Sequence, residues 1–415
     1  MLAAEPLYLL VDTAVVGHLG AVPLAALAIG GTIMTLTAWL GNVLAYGTTA
    51  RAARQFGAGA RAAAVAEGVQ ASWLAVALGL VLAAVAQVAA APVAATLAGD
   101  NSAVAGAAAG WLRIAALGAP GLLLTTAGHG WLRGVQDLWR PMRFVLVANL
   151  LSAVLCPILV HPVGLGLTGS AVANVVAQSL GAVLFVRALL AERVPLRPDP
   201  AMIRHQLVLG RDLLIRGGAM QACFLSAAAV AARFGTATLA AHQIALQLWL
   251  FTALALDAVA IAAQSLVGAA LGGGRADQAR LLARRITYLG TAGGAAFAAL
   301  IGAGAAVLPR LFSPDPQVYA EAMVAWPWFV AMLPAAGAVF ALDGVLIGAG
   351  DIRYLRNLTL VATLGGFLPA IWTAYALTWG LGGIWAGLAL FVLVRLAAQL
   401  ARMRSGGWIV LGAVR

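Results

Sequence analysis

Twelve stretches of mostly apolar residues follow one another along this chain with short polar breaks between them, each near the twenty or so residues that a helix needs to cross a bilayer. A chain built this way has one solvent in which it can fold. Of its 415 residues 63% are hydrophobic and 9% charged, against about 25% charged in a soluble domain. Too little polar surface is left to face water. That excludes soluble enzymes and nucleic-acid-binding proteins, in spite of a formal net charge of +11. The windows run 1–16, 24–46, 69–93, 104–127, 144–160 and 170–190, then 213–232, 244–263, 286–308, 322–347, 358–377 and 384–401. The expected fold is all-α and integral to the membrane, with twelve transmembrane helices.

The arginines test the number of crossings. All 25 basic side chains are arginine and none is lysine. They cluster in the loops after even-numbered helices and in the C-terminal tail, for example Arg51, Arg54 and Arg61, then Arg133, Arg140 and Arg143. The loops after odd-numbered helices hold Arg233 and Arg310. Short arginine-rich loops stay cytoplasmic, so both termini are expected inside the cell membrane and the count of crossings is even. The first window is short, and it lacks the basic start and greasy centre of a signal peptide, carrying Glu5-Pro6 instead. The expectation is a first helix that lacks residues at its start. Cys156 and Cys223 lie inside apolar runs, which leaves no disulfide framework and no cysteine metal site.

The chain repeats itself. Leu19-Gly20 followed by Leu24-Ala25-Ala26 recurs as Phe234-Gly235 followed by Leu239-Ala240-Ala241, at an offset of 215. Gly130, Gly134 and Asp137 recur as Gly344, Gly348 and Asp351, and Gly166-Leu167 with Gly169 recurs as Gly380-Leu381 with Gly383, both at 214. Six helices separate the copies, and an even number preserves orientation, so the repeats are parallel and a cavity is expected between them. The expected division is an N-terminal lobe over 1–190, a cytoplasmic linker over 191–204, a C-terminal lobe over 205–403 and a cytoplasmic tail over 404–415.

Ionisable residues inside spans are costly and usually face a partner or a cavity. Asp12 leads them, six residues after Pro6, which permits a kink. Glu5 lies seven residues before it, on the same helix face. A carboxyl so placed can hold a proton in hydrocarbon and release it on wetting. A protonated side chain bonded to a neighbouring helix is the alternative. Gln243, Asp257 and Gln264 are spaced by multiples of seven and form one stripe on helix 8. Asp343 in helix 10 has His129 as its repeat mate. Both read equally as cavity-lining groups or as wetted interfacial ones. Asn149, Ser152, Asn174 and Gln178 in helices 5 and 6 are accounted for by interhelical hydrogen bonds. Residues 164–169 fit G-x-G-x-x-G literally, but they follow an apolar helix and His161-Pro162, with no strand and no ribose-binding acid. They read as a tight turn.

Three blocks carry a family resemblance. Glu5-Pro6 leading to Val11-Asp12-Thr13 and Gly17-His18-Leu19-Gly20 resembles the first helix of the multidrug and toxic compound extrusion (MATE) family, DinF-like branch. Ala240-Ala241-His242-Gln243-Ile244 with Asp257 and 263–268 is similar to the eighth, and Leu342-Asp343-Gly344-Val345 through Asp351 to the tenth. The resemblance implies a transporter working by alternating access. It would export organic cations or amphipathic compounds against H+ or Na+, need no cofactor, act as a monomer and bind no nucleic acid. In proton-coupled relatives the helix-1 aspartate is the coupling residue, which maps onto Asp12. Relatives often carry Asn and Asp on helix 5 where Ser152 and Cys156 stand, and Asn174 replaces a threonine of helix 6. Sodium-coupled relatives use carboxylates in helix 7, which has none at mid-membrane here, so H+ is favoured. Asp257 and Asp343 are expected to line the second half of the cavity and attract cations. A lipid-linked-saccharide flippase would want basic residues there, and a membrane transferase would want an aspartate cluster on a loop.

Overall fold

A computed structural model describes residues 4–413, with side chains described from residue 10 onward. The Glu5 and Pro6 side chains therefore lie outside the described residues. Among the described residues a short helix at Leu308–Phe312 joins two of the long ones. The twelve main helices match the apolar windows one for one. They are α1 (Ala4–Gly17), α2 (Ala21–Gly57), α3 (Arg61–Ala98), α4 (Ser102–Gly134), α5 (Trp139–Val160) and α6 (Leu167–Ala191), then α7 (Pro200–Phe234), α8 (Thr236–Gly272), α9 (Ala276–Ala303), α10 (Pro316–Gly348), α11 (Ile352–Ala376) and α12 (Gly380–Ser405). Among the described residues, the eleven from α2 to α12 are long and apolar enough to cross a membrane. Several run well past their windows: α2 continues to Gly57 through Ala50-Arg51-Ala52-Ala53-Arg54. Hydropathy falls there, yet alanine and arginine are both strong helix formers, so the helix outlasts the apolar signal. Two spans change pitch. A 3₁₀ turn at Ala116–Gly118 precedes Pro120 in α4, and a π turn at Ala362–Phe367 precedes Pro369 in α11. Each proline lacks the N–H that would continue a regular ladder.

The chain forms two compact units, 1–210 and 211–415. Within each, the repeated sequence makes the same local structure. Gly20 and Gly235 open α2 and α8 at φ 117° and 129°, which only glycine adopts without strain. Gly130 and Gly134 press α4 onto α2, where a Cβ at Gly130 would stand 2.9 Å from the Ala45 carbonyl oxygen. Gly344 and Gly348 press α10 onto α8 in the same way, against Ala260 and Gln264. These small-residue crossings supply close packing where lipid offers no hydrophobic drive. The second unit's core is aromatic, with Phe329 and Trp385 at 5.1 Å.

The segment 192–199 is strapped to α3 in the first unit. Trp73 Nε1 donates to the Leu196 carbonyl at 2.8 Å, and the Gln70 amide bonds both the Arg197 carbonyl and the Asp199 N–H. The start of α7 stays with this unit too, for Gln206 donates to the Glu67 carbonyl and carboxylate, beside the Arg51–Glu67 ion pair at 2.6 Å. The compact first unit thus ends later than the apolar pattern alone suggests. At the polar end, the Arg61 guanidinium pairs with Glu192 at 2.7 Å and holds that carboxyl below the usual carboxylate range, with Arg140 adding to it.

Candidate functional site

The turn between α5 and α6 builds the first polar site. Gly164 and Gly166 take φ 77° and 53°, so 164–166 lie in the turn, while 167–169 already form the first turn of α6. Gly169 then presses so closely on α5 that a Cβ would stand 2.7 Å from the Leu159 backbone. That contact brings Ser170 of α6 and Cys156 of α5 onto one side, facing α1. Asp12, 2% exposed, accepts a hydrogen bond from the Ser170 hydroxyl at 2.7 Å and another from the Cys156 thiol at 3.1 Å on the same oxygen, Oδ1. Behind Ser170 stands Trp111 of α4, whose Nε1 donates to the serine oxygen at 3.2 Å. The indole can lie there because its neighbour on α2 is Gly30, where any Cβ would strike the ring. Four helices thus meet at one carboxyl. Ser152, one turn before Cys156 on α5, is buried, and its hydroxyl has no partner among the described residues.

The other residues singled out in the first unit are not among the side-chain donors to Asp12. Asn149 and Asn174 are half-buried, one turn from Ser152 and from Ser170 respectively. Gln178 lies on α6 where its backbone meets Gly121 of α4. His129 packs edge-on against Phe185 with centroids 4.9 Å apart, and its buried Nε2 has no described hydrogen-bond partner.

In the second unit Asp343 is buried, and the fold gives it partners that its own sequence neighbourhood does not show. Its Oδ2 accepts from Arg216 of α7 and from Arg395 of α12 at 2.6 Å, while Oδ1 accepts from the Gln399 amide at 2.6 Å. Two arginines share one carboxylate oxygen. The surroundings of Asp343 are therefore basic, which departs from the expectation of an acid set to attract cations. Arg395 was legible as an ionisable group inside an apolar window; Arg216 and Gln399 sit at window edges, where hydropathy reads them as interfacial. Gln264 is buried with its backbone against Gly348, Asp257 is half-buried, and Gln243 is exposed on an open groove with Gln247 and Ser313. The stripe along α8 thus runs from buried to exposed. Among the described residues no group of three or more His, Cys, Asp or Glu could hold a metal ion.

The MatE family profile matches residues 1–158 and 219–372, reaching into both units. The chain belongs to the MATE family. Protein DETOXIFICATION 44, chloroplastic, of Arabidopsis thaliana is 34% identical over 430 residues, covering 99% of this chain and 81% of that one. DNA damage-inducible protein F of Escherichia coli K12 is 31% identical over 420 residues, covering 97% and 90%, and places the chain with the DinF-like members. A MATE crystal structure in the bent conformation superposes with a TM-score of 0.88 at 21% identity, over 98% of this chain and 93% of that one. This MATE protein is a multi-pass membrane transporter of the efflux family, and not an enzyme.

Proposed function

We propose that this transporter exports amphipathic organic compounds, organic cations among them, across the cell membrane by alternating access. Inward proton flow drives it, both termini are cytoplasmic, and Asp12 is the coupling group. One observation carries the reading. Asp12 is buried where four helices meet, and its hydrogen bonds come from a hydroxyl and a thiol. No ion pair among the described residues includes it. A carboxyl held by neutral donors can gain or lose a proton without stranding a buried arginine. Asp343 is placed differently: Arg216 and Arg395 share it as their partner, and removing it would leave both unpaired, at a heavy cost in a dry interior. The two acids are thus suited to different work: Asp12 to exchange a proton and Asp343 to hold helices together.

The donor set also favours H+ over Na+. A hard cation wants several oxygen ligands, and sulfur is a poor substitute; one of the two groups on Asp12 is the Cys156 thiol. In proteoliposomes loaded with a fluorescent amphipathic cation, wild-type efflux is expected to follow an imposed pH gradient and not a sodium gradient. Asp12→Asn, inserted normally, is expected to lose that coupling. Coupling retained by the variant, or efflux driven by sodium alone, would overturn the proposal.

A further inference from the structure

The Asp343 cluster opens onto a cavity. It lies wholly within the second unit, with Met220, Trp249, Met332, Phe340 and Phe391 in its wall, and Arg395 is its one charged lining residue. The cavity is small as it stands, about 20 Å³, roughly the room one water needs. Its wall is nearly all hydrocarbon and ring, and Met220 and Met332 are side chains that repack easily.

Charge is out of balance at that wall. Arg216 and Arg395 both bond Oδ2 of Asp343, and Gln399 takes Oδ1. The carboxylate is engaged on both oxygens, whereas the Nε of each arginine is buried without a hydrogen-bond partner. The neighbouring acids are committed elsewhere: Asp212 to Arg211 and Arg356, and Asp351 to Arg402. Arg395 is 3% exposed, and a cation that deep normally has its donors filled.

We propose that this cavity binds an amphipathic monoanion, a carboxylate or similarly compact anionic head on an apolar body. The head is held by Arg395, and the body displaces Met220 and Met332 to lie against Trp249 and Phe340. An apolar slot with a single buried cation at one end matches that chemistry; an organic cation would meet Arg395 with like charge. The inference deepens the export reading by naming a substrate class for the second unit.

The test is equilibrium binding to the full-length protein in nanodiscs, read by quenching of Trp249 fluorescence against a Trp249→Phe control. The probes are 1-naphthoate, 1-naphthylmethylammonium and chloride. Naphthoate is expected to bind saturably and the ammonium probe to bind at least about tenfold more weakly. Arg395→Gln leaves one arginine for one aspartate and is expected to weaken naphthoate about tenfold or more. Ala336→Leu adds bulk to the cavity lining without removing a charge and is expected to weaken it as well. Equal binding of the two naphthyl probes, indifference to both substitutions, or full competition by chloride at matched concentration would overturn the proposal. Naphthoate binding is read at equilibrium with no gradient imposed and proton coupling by gradient-driven efflux, so loss of coupling and loss of this site register separately.

Discussion

Ser170 does more for Asp12 than its size suggests. It donates to the carboxylate at 2.7 Å and accepts from Trp111 at 3.2 Å, so one hydroxyl satisfies two buried groups. Ser170→Ala leaves the Trp111 N–H without its acceptor and Asp12 with the weaker thiol donor. Each unmet buried group costs about 1–3 kcal/mol. The expected result is a thermal midpoint lowered by several degrees, with a changed pH profile of transport that Ser152→Ala does not reproduce. A pH profile identical to wild type would mean that Ser170 only packs. At this scale Asp12 and Asp343 were legible, because an acid inside an apolar window is conspicuous whatever surrounds it. Their partners were less so. Trp111 and Gly30 read as ordinary apolar filler, and the contact between them exists only once α2 and α4 cross.

The helices themselves were legible almost completely, since lipid demands that each span satisfy its own backbone. Where they cross was legible only through the repeat. Gly130 and Gly344 match in sequence, and the fold explains the match: each removes the side chain where α4 meets α2 or α10 meets α8. Gly344→Ala would drive a methyl into the Ala260 carbonyl of α8, which is backbone and cannot swing away. A loss of about 1–3 kcal/mol is expected. Gly31→Ala, in the body of α2 with nothing within 4 Å of the new methyl, is expected to be neutral or to gain up to about 1 kcal/mol from higher helix propensity. Thermal unfolding in detergent followed by fluorescence would separate the two. Equal effects would mean that the helix crossing is looser than the structure has it. The π turn of α11 had no comparable sequence signature, for Gly365-Gly366 before Pro369 is equally consistent with a plain kink.

At the scale of the whole molecule, two units of similar build follow from one duplicated sequence. The division at 210 shows what duplication alone leaves out. Residues of early α7 belong by offset to the second copy, yet Gln206 bonds Glu67 and Gly210 meets Val43 in the first. Connectivity, not symmetry, decides where they pack. Orientation in the membrane rests on a separate physical rule, the retention of arginine-rich short loops on the cytoplasmic side. It is testable within one unit. The α3–α4 turn at 99–101 carries no arginine, while the α4–α5 connection sits between Arg133 and Arg140. A cysteine at Ser102, exposed at the start of α4, is expected to react with a membrane-impermeant maleimide added to intact cells. One at Leu138, 57% exposed, is expected to react only after permeabilisation. The native thiols do not interfere, since Cys156 is 0% and Cys223 2% exposed. The reverse labelling pattern would place the Arg51, Arg61 and Arg140 clusters outside, and a proton entering at Asp12 would then have to move against the direction that export requires.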